Sequence, residues 1–167
     1  SDASDGNGAF SVQITTGGLP ADGYLRGSMS GYLDTYVVPP TPLVEDATQV
    51  PLLQFNQATY DFIAGISGVT PDPARGNVVV LVADCDSQPI EGATVTVTPS
   101  AGTSVVYLGP SGLPDGNATA TSAEGLAVLF NTAAGNVQVD ALVMGMSLRE
   151  RTVPSAAGAV TTTGLVP

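Results

Sequence analysis

The chain has 167 residues, 43% hydrophobic and 11% charged, which is enough apolar content to fold and too much for a disordered acidic tail. With 15 acids against 4 arginines the net charge is −11, which argues against a nucleic-acid partner, since that affinity rests on cationic pairing with phosphates. His and Lys are absent. Their absence removes histidine-based nucleophile systems, imidazole metal sites, Schiff bases and the P-loop. One cysteine, Cys85, has no partner within the chain for a disulfide.

The chain opens on the polar stretch Ser1 to Gly6, which lacks a signal-peptide pattern. A Lys-free, Ser/Thr/Gly/Asn-rich chain of pI near 4.1 has the look of an exported protein, secreted, periplasmic or at the cell surface. An exported form is then expected to have lost its signal. Strands are expected at about 9–16, 23–30 and 33–38, followed by a proline-rich exit through Val38-Pro39-Pro40-Thr41-Pro42-Leu43. Residues 56–67 break the β pattern. Phe55, Thr59, Phe62, Ile63 and Ile66 recur at three-to-four spacing, with Asn56 placed as N-cap and Gly68 as the stop. This predicts one short amphipathic helix, expected to plug an end of a sandwich, followed by a second proline-rich spacer at Thr70 to Ala74.

Residues 77–83 are Val-rich and bounded by turn residues, which predicts a buried strand. Ala93 to Thr98 alternates strictly, with Val95 and Val97 on one face and threonines on the other. Further strands are expected at 104–108, 118–121, 126–131, 136–143, 147–153 and 159–166. Short strands separated by turns describe an all-β, antiparallel sandwich. The longest unbroken apolar run, Val78 to Ala83, is roughly a third of a membrane span, so no span is expected.

The first part of the chain echoes the last. Phe10 to Gly17 parallels Val128 to Gly135, and Gly31 to Pro39 parallels Gly145 to Pro154. On this reading residues 1–50 are an incomplete module carrying its last three strands, 51–75 are helix and linker, and 76–167 are a complete module. Strands without a facing sheet need cover from the second module, from the helix, or from another chain by strand addition.

Asn77 to Asp84, Gln88 to Val97, Thr121-Ser122-Ala123-Glu124-Gly125 and Ala134 to Val139 resemble the carboxypeptidase regulatory-like domains of bacterial secreted and envelope proteins. The resemblance covers roughly residues 76–166, with a partial second match over 1–39. It implies a transthyretin-like or Ig-like sandwich with a structural, adhesive or carbohydrate-binding role. The dioxygenase and hydrolase relatives of that sandwich depend on histidine, and its isopeptide-forming relatives on lysine.

Several candidate sites follow. Tyr32, Asp34 and Tyr36 alternate and so share a face, where two rings flanking a carboxylate suit a sugar; Tyr24, with Arg26, is placed to join them. Tyr32 and Tyr36 more simply suit the cover of a sheet face or an interface. Asp5 with Asn7, Asp84 with Asp86, and Asp115 with Asn117 are weak calcium candidates, since calcium needs several converging oxygens and each pair also reads as a turn. Cys85, between two acids, is expected to be an inert packed thiol, and Asn117-Ala118-Thr119 is a glycosylation sequon. Arg149 and Arg151, flanking Glu150, are expected to face solvent and discourage edge pairing. No cofactor or metal is assigned. The sequence therefore favours a non-enzymatic, secreted or cell-surface structural or adhesive module, self-assembling by strand addition or binding another surface protein. A carbohydrate-binding module on Tyr24, Tyr32, Asp34 and Tyr36 is the alternative. A carboxylate-based glycoside hydrolase is a distant third, because the acids are scattered singly.

Overall fold

The computed structural model describes residues 2–167. It is an all-β sandwich with one short helix. The larger sheet has seven strands in the order β1 (Leu25–Gly27), β2 (Thr35–Val38), β11 (Val160–Leu165), β3 (Gly76–Val82), β7 (Leu126–Thr132), β5 (Ser104–Leu108) and β6 (Pro114–Asp115). The smaller sheet runs β10 (Arg151–Ser155), β8 (Gly135–Val143) and β4 (Thr94–Thr98), with β9 (Met146–Ser147) paired to β8. No helix among the described residues is long and apolar enough to cross a membrane.

The central strands β3 and β7 are buried on both faces, and their side chains divide by the period of two. Val78, Val80, Val82, Ala127 and Leu129 face the smaller sheet and meet Val95, Val97, Val137, Val139 and Val153. Val79, Val128 and Phe130 face the opposite way, into a second cluster with Tyr60 and Ala64 of helix α1 (Gln57–Ile66). The helix thus covers the outer face of the larger sheet and makes a third layer; it does not plug the sandwich end. Its outward sheet face is apolar along β3, β5 and β7, and so requires a cover that the sandwich alone does not supply. Both predicted caps are present. The Asn56 side chain accepts from the Thr59 N–H at 2.8 Å, and Gly68, at φ +68°, ends the helix. There Gly68 N–H donates to Gly65 and Val69 N–H to Ala64, the two bonds of a Schellman cap.

A buried polar knot fixes the helix to the sheet. Tyr60 donates its hydroxyl proton to Asn77 Oδ1 at 3.1 Å, and Asn77 Nδ2 donates to the Ala159 carbonyl at 3.2 Å. The Asn131 N–H reaches the same Asn77 oxygen at 3.3 Å, beside the register shift between Gly76 and Val78. Burial, only partly offset by the bond to Asn77, pushes the Tyr60 phenol above its ordinary value.

Three expected strands differ. Residues 9–16 alternate as a strand should, yet they join no strand among the described residues and lie exposed. Residues 118–121 form a strap, because Thr121 bonds to the segment just before β4 instead of laddering. Its N–H donates to Ala93, and its hydroxyl accepts from Ala93 N–H and donates to Ile90. The segment 147–153 is broken between β9 and β10. One strand also departs from the antiparallel rule: β11 runs parallel to both β2 and β3. It reaches the larger sheet by arching over from β10 through the Ala156–Gly158 turn, so it does not return as a hairpin partner.

Gly125 combines a left-handed backbone with a close backbone approach. It sits at φ +65°, and an added Cβ would lie 2.6 Å from the Val82 carbonyl oxygen and 2.9 Å from Pro89 Cβ. A left-handed alanine costs about 1–2 kcal/mol before any clash. Gly125→Ala is expected to destabilise the protein by about 2–4 kcal/mol in chemical denaturation. A change below about 0.5 kcal/mol, the ordinary surface range, would contradict this geometry.

Candidate functional site

The larger sheet is wider than the smaller one, and its β1–β2 end projects beyond β10. Val38 belongs to the core between the sheets, and Tyr36, two residues before it, shares that face. The register sets Arg26 opposite Tyr36, and Leu25 opposite Val37. Tyr36 and Arg26 therefore stand on the inward face where no facing strand covers them.

On this overhang four side chains meet. Arg26 Nη2 lies 2.5 Å from Asp34 Oδ2, and its guanidinium carbon sits 5.8 Å from the centre of the Tyr36 ring. Tyr24 meets Tyr36 edge-on, with ring centres 5.2 Å apart and planes at 65°. The Asp34 hydrogen bond, followed by its charge, raises the Arg26 pKa above the ordinary value. Tyr36 is the half-buried base of the cluster and Tyr24, 55% exposed, is its open ring. Tyr32 stands apart, outside β2, where it bridges to Asn56 at the start of the helix. Of the predicted group, the fold brings together Tyr24, Arg26, Asp34 and Tyr36, and leaves out Tyr32.

Beside Tyr24 the overhang and the edge strand β10 enclose a cleft of about 300 Å³. Tyr24, Gly23 and Val38 line one wall, Asn136, Thr152 and Pro154 the other, and Asp22 also lines it. Arg151 ties the two walls. Its Nε donates to the Pro39 carbonyl at 3.0 Å, and both terminal nitrogens reach the Asp22 carboxylate, the longer bond at 3.3 Å. Arg151 is therefore a half-buried clamp and not the solvent-facing charge its alternation with Glu150 suggested; Arg149 is exposed as expected. The hydrogen bonds from Arg151 hold the Asp22 carboxyl below its ordinary value of 3.8.

The calcium candidates do not converge, and their acids are occupied with turns. Asp5 Oδ1 accepts from the N–H groups of Asn7 and Ala9, bonds that lower its pKa, Ala9 contributing most. Asp115 Oδ1 likewise accepts from Asn117 N–H. No group of three His, Cys, Asp or Glu suited to a metal occurs among the described residues. Cys85 is exposed, not packed, because it rides the tip of a turn in which Asp84 accepts from the N–H groups of Asp86 and Gln88. Neither a protein-family model nor a curated protein matches the sequence.

Arg151→Ala removes hydrogen bonds to a charged group and packing between the walls. It is expected to cost about 1–3 kcal/mol, measured by denaturation. Asp22→Asn is expected to cost less, about 0.2–1 kcal/mol, because that carboxylate is solvent-exposed. Since the folded-state pKa of Asp22 is depressed, its contribution is full above the ordinary carboxylate value and is lost as pH falls through the folded value. The stability difference between parent and Asp22→Asn should therefore vanish in acid. A difference that persists or grows there would contradict the ion pair.

Proposed function

We propose that this chain is a non-enzymatic adhesive β-sandwich module of a secreted or cell-surface protein, with polysaccharide as the ligand class of its overhang cleft. The observation that carries the reading is the joining of an exposed aromatic ring to a polar cleft. Tyr24 offers an apolar ring face for the C–H surface of a sugar, and Asn136 and Thr152 across the cleft offer donors and acceptors for its hydroxyls. Tyr36, with Arg26 above it and Asp34 holding Arg26, props Tyr24 in place, which lowers the entropy cost of presenting the ring. The resemblance to carboxypeptidase regulatory-like domains supports the same role, because such modules are usually non-catalytic. Asp22, the acid lining the cleft, is engaged by Arg151, whereas a glycosidase needs two carboxyl groups flanking one bond.

The test is a glycan array followed by titration of the best ligand. Tyr24→Ala should weaken binding by about 1–3 kcal/mol, roughly tenfold to a hundredfold in affinity, with folding intact. Tyr36→Ala should weaken it by removing the prop, and Tyr32→Ala should leave it unchanged. Binding undiminished in Tyr24→Ala and Tyr36→Ala would overturn the assignment.

A further inference from the structure

We infer that the segment from Ala9 to Thr16 is a donor strand that adds to the open edge of β1 in a second copy of this chain. The segment has the pattern of a half-buried strand. Phe10, Val12 and Ile14 alternate with Ser11, Gln13 and Thr15, and no residue in it is charged. Yet the apolar side chains stand 36%, 42% and 64% exposed, and residues 12–15 have no backbone hydrogen bond among the described residues. Such a row of unmet donors, acceptors and apolar side chains is a template for pairing.

The segment does not pair with β1 of its own chain. Gly17 and Gly18, both at positive φ, form a turn closed by Leu19 N–H on Thr16, but the hairpin stops there. Pro20 lacks an N–H, and both backbone groups of Ala21 bond to Leu43. Three other edges are blunted. Tyr107 accepts from Val95 N–H on the outer side of β4, β6 has two residues, and β10 carries Pro154, whose carbonyl accepts from Thr161. The β1 edge is three residues long, but among the described residues nothing caps its open side, and both its faces are filled, by Leu52 over Gly27 and by the Tyr24 cluster. A strand added there continues the seven-stranded sheet. Each copy carries both donor and edge, so donors exchanged reciprocally close a dimer and donors passed one way extend head to tail. The net charge of −11 opposes self-association, and this uncharged stretch approaches another copy without adding to that repulsion.

This inference extends the adhesive reading by naming a partner, and it fails separately from it because Val12 lies outside the Tyr24 cleft. The experiment is light scattering of the full chain against concentration at low and high salt, beside Val12→Pro. The parent should rise above 16.7 kDa with concentration, more so at high salt. Val12→Pro should remain monomeric with an unchanged Tm, and excess peptide of residues 8–17 should return the parent to monomer. A parent that stays monomeric throughout, a Val12→Pro variant that assembles like the parent, or assembly indifferent to the peptide would overturn the inference.

Discussion

The parallel pairing of β11 with β2 and β3 is the seam on which the rest of the molecule depends. Val160 to Thr163 of β11 ladder with Thr35 to Val38 on one side and with Asn77 to Val80 on the other. Without that strand the first forty or so residues would have no backbone connection to the sandwich sheet beyond loops. With it, one chain end locks the other, and Thr35, Thr161 and Thr163 are buried along the joint. Such non-local pairing closes a long loop, an entropic cost that grows slowly with length and is offset by burying both faces of the sheet.

The candidate site is a consequence of that seam. Adding β2 and β1 beyond β11 makes the larger sheet overhang the smaller one, and an overhang has an inward face with no opposite strand. The chain treats the exposed strip in two ways. Near β10, Val38 still joins the core, while Arg151 clamps the margin through Asp22 and Pro39. Farther out, Tyr36, Tyr24 and Arg26 replace aliphatic residues with amphipathic ones, which tolerate both packing and water. The cleft lies where these two treatments meet. A sandwich with equal sheets would have no such groove.

Much of the fold was legible from local pattern. The double-sided burial of β3 and β7 follows from unbroken apolar runs, and the helix bounds follow from Asn56 and Gly68. What pattern could not carry was partnership. Alternation in residues 9–16 states that a strand is possible, not that an edge is within reach, and Pro20 with the Ala21–Leu43 bridge keeps it from its own sheet. Arg151 read as a surface charge because its partner Asp22 lies far away in the chain. Of the site, the shared face of Asp34 and Tyr36 was legible, and Tyr24 joined once the register placed Arg26 against Tyr36. The cleft was not, since half of its wall comes from β8 and β10. Nor was the helix position, because an apolar stripe specifies a buried face without specifying which sheet surface buries it.

The most direct test of the seam is a cross-strand nuclear Overhauser measurement between β2 and β11. A dilute, uniformly labelled sample should show contacts between the backbone protons of Tyr36 and Val37 and those of Thr161 and Thr162, in parallel register. A filtered experiment on mixed labelled and unlabelled chains should show none of them, placing the pairing within one molecule. Contacts present only in the filtered experiment, or an antiparallel register, would contradict the account, because the N-terminal strands would then belong to a different sheet or a different copy.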